Sequence, residues 1–272
     1  MMPLDCKAVS VVLGHKTVLD RITLRVDTPA LIGIVGPNGA GKSTLMRAMA
    51  GLQSCSGSIA WDDVPLSRMP EVQRARAIAY MPQERIVHWA IPCLDVVLLG
   101  RLPHRSRFSG VSAADLRFAR DAMERMDVLA FVRRPFDTLS GGEQARVLIA
   151  RMLAQDPLVY IADEPVNGLD PAHQIGLMQT FRHLASEGRT VFLSLHDLTL
   201  AGRWCDRILL LEDGRLRSDG APTDTLTEHE MADVYGIRTV SVEIDGTASI
   251  VPAGLASRSR DETIGMPQRR SP

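Results

Sequence analysis

Eight residues, Gly36-Pro37-Asn38-Gly39-Ala40-Gly41-Lys42-Ser43, fit the pattern G-x-x-x-x-G-K-[ST]. They fall between a continuous apolar run, Ala30 to Val35, and a helical stretch from about Gly41 to Ala50. The glycines let backbone N–H groups turn inward around an anion, where a side chain would block them. The following helix aims its N-terminal partial positive charge at the same place. Lys42 is placed to reach the β- and γ-phosphates of a nucleotide, and the hydroxyl of Ser43, followed by Thr44, to ligate Mg²⁺. The strand–turn–helix context is the one this motif requires, so the chain is expected to hold a nucleotide, with ATP and Mg²⁺ as its ligands.

A buried strand feeding such a turn belongs to a parallel α/β core, and the remaining sequence supplies it. Apolar runs at Val159 to Ala162, Val191 to Leu195 and Ile208 to Leu211 alternate with helical patterns, the order of a parallel sheet. Ahead of them, Ala8 to Val12 and Ile22 to Val26 alternate as antiparallel strands do. Between about 85 and 156 strand-like runs vanish and helical patterns take over, with Ser112 and Asp115 as a capping box. The fold class expected is therefore a parallel-sheet α/β core with an N-terminal antiparallel β subdomain and an inserted α-helical subdomain. One domain spans 1–250, with Thr227 and Glu230 capping a short late helix. A polar tail over 251–272 is expected to be disordered.

Composition narrows the partners. The 272 residues carry a formal net charge of −1, which gives no field to hold nucleic acid non-specifically. The four cysteines (Cys6, Cys55, Cys93, Cys205) form no C-x-x-C pair and read as reduced, buried thiols. The N-terminus lacks the basic and apolar regions of a signal peptide, and no window approaches the roughly 18 apolar residues that span a bilayer. A membrane role would be served from the cytoplasmic face, through a partner.

Chemistry is expected at the ends of three further strands. Val159-Tyr-Ile-Ala-Asp163-Glu164 ends an apolar strand in adjacent carboxylates, which cost several kcal/mol to bury unless paired. Asp163 is placed to hold the metal and Glu164 to polarise the attacking water as general base; without the phosphate loop the pair would read as an acidic helix cap. His196 follows Thr190 to Leu195 and so shares the carboxyl edge with the nucleotide, where it can donate to the γ-phosphate. Gln83, in Met81-Pro-Gln83, closes a strand before the insert, and its amide can reach both metal and water. Finally, Leu139-Ser140-Gly141-Gly142-Glu143 combines a capping box with exposed N–H groups. It is either an ordinary capped helix or a second phosphate-sized cradle, one that closes over the nucleotide of another copy.

These motifs, in this order, resemble the ABC family of P-loop NTPases. Walker A lies at Gly36 to Thr44 and the Q-loop at Gln83; the signature is Ser140 to Glu143. Walker B ends at Asp163 with Glu164 next, the D-loop runs Asn167-Gly-Leu-Asp170 and the H-loop is His196. The resemblance covers about residues 7–240. It implies the RecA-like fold and a head-to-tail homodimer, two ATPs being sandwiched between Walker A of one copy and the signature of the other, with Asp170 of the D-loop among the nucleotide-binding residues. It also implies membrane permease subunits that follow the dimer's opening and closing. Where the family usually has an aromatic residue to stack on adenine, this chain has Leu13, which keeps apolar contact but loses about 0.5–1.5 kcal/mol of stacking.

Gly100-Arg-Leu-Pro103-His104-Arg105, Leu195 to Ala201 with Arg203 to Asp206, and Val234-Tyr-Gly236 are similar to stretches of iron–siderophore, haem and cobalamin importer ATPases. The resemblance thus implies an importer subunit with a solute-binding protein upstream of the permease, siderophore first among cargoes, then haem or cobalamin. An exporter subunit stays open. A soluble ABC ATPase would carry a second cassette or a coiled coil, and a GTPase an N-K-x-D motif; neither is present.

Overall fold

The computed structural model describes residues 2–84, 90–106, 109–244 and 247–256, with side chains left aside over 244–248. The first strands are β1 (Leu4–Leu13), β2 (Lys16–Val26) and β3 (Leu31–Val35); α1 (Lys42–Met49), β4 (Ser56–Trp61), β5 (Val64–Pro65), α2 (Glu71–Ala77) and β6 (Ile78–Met81) follow. Next come three helices, α3 (Cys93–Leu98), α4 (Ala113–Arg125) and α5 (Gly141–Ala154), with no strand among the described residues between β6 and β7 (Val159–Ala162). The chain then alternates through α6 (Pro171–Ser186), β8 (Thr190–Ser194), α7 (Leu198–Trp204) and β9 (Arg207–Glu212). It closes with β10 (Arg215–Gly220), α8 (Pro222–Thr225), α9 (Glu228–Tyr235), β11 (Ile237–Ile244) and β12 (Thr247–Leu255).

The central sheet has the order β10-β9-β3-β8-β7-β6, with β9 through β6 parallel and β10 antiparallel at the edge. Its strands are apolar on both faces because both faces are covered. Side chains alternate between two cores. Leu31 and Val35 of β3, with Val191 and Leu193 of β8, face the core built with α3 to α7. Ile32, Ile34, Phe192, Val159 and Ile161 face the other, shared with α1 and the antiparallel sheet β2-β1-β4-β5. Trp61 fills that second core, wholly buried, its indole N–H donating to the Met49 carbonyl. The parallel core, antiparallel subdomain and helical insert are thus the architecture expected.

Two local expectations change. The polar-looking end of the chain is not all tail: β11 and β12 pair as an antiparallel hairpin up to Leu255, and Ile250 packs into the core against α7. The boundary expected at 251 therefore moves, because residues 251–255 continue the strand that pairs with β11 and the buried Ile250 anchors that strand to the core; residues 257–272 lie outside the described residues. Thr227 accepts from the Glu230 N–H as a cap should, but the Glu230 carboxylate binds Arg217 at 2.9 Å, so the box is half made. By contrast, the boxes at Ser112/Asp115 and Ser140/Glu143 are complete.

The Gly100–Arg105 stretch is a buried fastening. Arg101 pairs with Asp115 at 3.2 Å and donates to the Ala154 carbonyl at 2.8 Å, and His104 Nε2 lies 2.8 Å from the Gln155 carbonyl. Within the insert it ties the C-terminal end of α5 to the start of α4.

Candidate active site

Because β3, β8, β7 and β6 are parallel neighbours, their carboxyl ends bring Gly36, His196, Asp163 and Gln83 to one edge of the sheet. A cleft of about 640 Å³ opens there, lined by Asn38 to Thr44, Val18, Gln83, Glu164, Asn167 and His196. Five segments separated in sequence meet on it.

The phosphate loop is shaped by close approach. Gly36 has φ 150°, and a Cβ there would sit 2.2 Å from the Leu211 carbonyl oxygen, so only glycine fits. No side chain caps α1 at Gly41, which leaves the first backbone N–H groups of the helix to an anion. Lys42 is buried, and its ammonium donates to the carbonyls of Gly36 (2.7 Å) and Pro37 (3.1 Å). Burial holds its pKa below the ordinary lysine value, against the opposing pull of the Glu164 and Asp163 charges. A phosphate would supply the anionic partner that such a desolvated cation lacks.

The two carboxylates are held differently. Asp163 is 1% exposed; its Oδ1 accepts from the Ser194 hydroxyl at 2.5 Å, while Oδ2 is buried with no hydrogen-bond partner. The same Ser194 oxygen accepts the Glu164 N–H at 2.7 Å. Glu164 itself sits at φ 49°, a left-handed conformation that costs a non-glycine residue on the order of 1 kcal/mol or more. That turn sends its carboxylate into the cleft rather than along the strand. There Oε2 accepts from Gln83 at 2.9 Å and from the Asn167 amide, and Oε1 lies 2.5 Å from His196 Nε2.

Other residues lie apart. Ser140 to Glu143 open α5 outside the cleft, with Ser140 N–H donating to Glu143 at 2.8 Å and drawing that carboxyl below its usual range. Asp170 caps α6 through the His173 N–H and is exposed. Leu13 ends β1 beside the hairpin turn, 46% exposed and off the cleft wall, where the apolar surface is Val18. Ser194 was not legible as a site residue. The signal for it is a hydroxyl within an otherwise apolar strand, which must find partners when buried.

Residues 19–167, more than half of the chain, match the family described as ABC transporter. The chain belongs to that family. The hemin import ATP-binding protein HmuV of Myxococcus xanthus is 37% identical over 265 residues, covering 94% of this chain and 98% of that protein. HmuV of Rhodococcus jostii is 37% identical over 256 residues, covering 92% and 86%. The cobalamin import ATP-binding protein BtuD of Halobacterium salinarum is 38% identical over 262 residues, covering 95% of this chain and 65% of that one. Among solved structures, an ATP-binding cassette dimer bound to ADP and Pi superposes with a TM-score of 0.71 at 25% identity, covering 82% and 99%. A transporter described as of the metal-chelate type, in an inward-facing conformation, shares the fold with a TM-score of 0.79 at 22% identity, covering 93% and 98%. The chain is thus an ATP-binding subunit of an ABC transporter, and an ATP hydrolase. Among the described residues, no helix is long and apolar enough to cross a membrane.

Proposed function

We propose that this subunit drives import, coupling ATP hydrolysis to uptake of a metal chelate, with haem first and cobalamin or a ferric siderophore next. The observation that carries the reading is likeness over nearly the whole chain to hemin and cobalamin import ATPases. Those names move haem ahead of the siderophore that the sequence stretches alone put first. In this reading two copies form a head-to-tail dimer, each seated on a permease subunit at the cytoplasmic face of the membrane. A solute-binding protein delivers the cargo. The dimeric cassette among the structural relatives supports the pairing, and Gly141 and Gly142, whose N–H groups the Ser140/Glu143 capping box does not use, supply donors for the partner's nucleotide.

ATP lies in the 640 Å³ cleft with its phosphates on the loop from Gly36 to Thr44. Lys42 exchanges its carbonyl contacts for the β- and γ-phosphates. The residues present fit Mg²⁺: the Asp163 Oδ2 without a partner, the Ser43 hydroxyl and the Gln83 amide are oxygen donors of the kind it takes, alongside phosphate. Bound there, Mg²⁺ would neutralise phosphate charge. Glu164 holds a water in line with the γ-phosphorus. As the water oxygen bonds to phosphorus and the bond to the ADP oxygen breaks, the water proton passes to the Glu164 carboxylate. His196, now against Glu164, turns its imidazole N–H to the γ-phosphate.

Deleting the gene in its native host, with uptake of labelled haem, cobalamin and ferric siderophore followed in parallel, tests the proposal. Loss of one signal, restored by wild type and not by Glu164→Gln, is the expected result. Unchanged uptake of all three would overturn the metal-chelate reading.

A further inference from the structure

Two helices open with the same side-chain arrangement. In α5, capped by Ser140, the amide of Gln144 reaches back to donate to the carbonyls of Leu139 (3.2 Å) and Phe136 (3.4 Å). In α6, capped by Asp170, the amide of Gln174 donates to Leu169 (3.1 Å) and Val166 (3.3 Å). In both, the glutamine stands four residues after the cap, and its acceptors stand one and four residues before it. The arrangement binds the last turn of the entering loop to the first turn of the helix.

The loop latched at α6 runs from Glu164 to Asp170. Asn167 within it is exposed, lines the cleft and donates to the Glu164 carboxylate. Within the loop, Asn167 N–H donates to the Glu164 carbonyl and Leu169 N–H to the Val166 carbonyl, turn contacts of 3.2–3.3 Å. The Gln174 amide shares the Val166 carbonyl with that turn and adds a bond to the Leu169 carbonyl. From the other side the loop is met by α5: a Cβ on Gly142 would stand 3.0 Å from the Gly168 carbonyl oxygen. Gln174 itself is half-buried and does not line the cleft.

We propose that Gln174 is a positioning residue for ATP hydrolysis: its amide fixes the 165–170 loop so that Asn167 meets the Glu164 carboxylate. It acts through Asn167 and touches neither nucleotide nor water. The inference rests on Glu164 being the general base. Without the latch, the loop samples positions in which Asn167 leaves Glu164, and the carboxylate spends less time aligned for attack. Nucleotide binding, carried by the phosphate loop, does not depend on it.

The test is steady-state ATPase kinetics of the full chain with Gln174→Met, which keeps side-chain volume and removes the donor. The expected result is a kcat lower by about tenfold, the effect of ~1.4 kcal/mol in the barrier, with KM within about twofold. Gln174→Glu, equally long and unable to donate, should reproduce the loss, while Gln174→Lys, which can donate to both carbonyls, should restore most of it. The double variant Asn167→Ala/Gln174→Met should be no slower than Asn167→Ala alone, because one route carries both effects. Wild-type kcat in both Gln174→Met and Gln174→Glu, or multiplicative losses in the double variant, would overturn the proposal. Glu164→Gln run beside them separates the two readings: turnover by that variant refutes the base assignment, whereas an inactive Glu164→Gln with an unaffected Gln174→Met refutes the latch alone.

Discussion

Removing one buried oxygen, by Ser194→Ala, should disturb both adjacent carboxylates, Asp163 and Glu164, at once. The Ser194 hydroxyl is wholly buried, donates to Asp163 at 2.5 Å and accepts the Glu164 N–H at 2.7 Å. In the variant the Glu164 N–H is left buried without an acceptor, at about 1–3 kcal/mol. Asp163, whose Oδ2 is already unpartnered, loses a charge-assisted bond worth about 1.5–3 kcal/mol. Relief from desolvating the hydroxyl returns about 1 kcal/mol. The net loss is about 3 kcal/mol. For a chain of this size it corresponds to a fall in Tm of roughly 6–12 °C. Urea unfolding of wild type and variant measures it, and Ser194→Thr, which keeps the hydroxyl, serves as the control. A loss under about 1 kcal/mol would refute the reasoning, showing that a water takes the oxygen's place.

Three further outcomes follow from the geometry. Arg101→Met should destabilise the chain by about 1.5–3 kcal/mol by removing a charged partner from Asp115, whose other oxygen keeps its Ser112 bonds, and Asp115→Asn added to it should recover part; equal melting of wild type and single variant would refute the pairing. Glu143, its carboxyl held low chiefly by the Ser140 backbone N–H, contributes stability that is present above the unfolded carboxylate range and lost as pH falls through the lowered folded value. The gap in urea midpoint between wild type and Glu143→Gln should therefore close on acidification, and a pH-independent gap would count against it. Lys42→Ala should abolish ATP binding in equilibrium dialysis, and retained binding would remove the phosphate-loop assignment.

The parts of the site legible in the sequence are those whose geometry is local. The phosphate loop, the capping box at Ser140 and the adjacent carboxylates Asp163 and Glu164 each lie within a few residues, so residue type and spacing carry them. Strand polarity alone then places His196 and Gln83 at the same edge. What escaped was set by contacts across the fold. Ser194 looks like one small residue of an apolar strand until β7 is placed beside β8. The Glu230 carboxylate abandons its cap because Arg217 of β10 arrives beside it. Leu13 sits at a hairpin tip whose direction no spacing rule fixes. The last strand escaped because what holds it, pairing with β11 and the packing of Ile250 into the core, is set by contacts that its own residues do not show.

The strand order also says something about how this chain comes off the ribosome. Strand β3, which delivers the phosphate loop, pairs on one side with β8 and on the other with β9. Both are made from residues beyond 189. Until then β3 has no hydrogen-bonding neighbour in its sheet; Ile32 and Ile34 already have α1 and the antiparallel strands to pack on, while Leu31 and Val35 lack the wall that later helices and strands build. The helical insert is synthesised entirely within that wait. A nascent chain released or cleaved before about residue 212 carries the complete nucleotide motif and yet cannot form the cleft. Nucleotide capture thereby becomes a report that synthesis has passed β9.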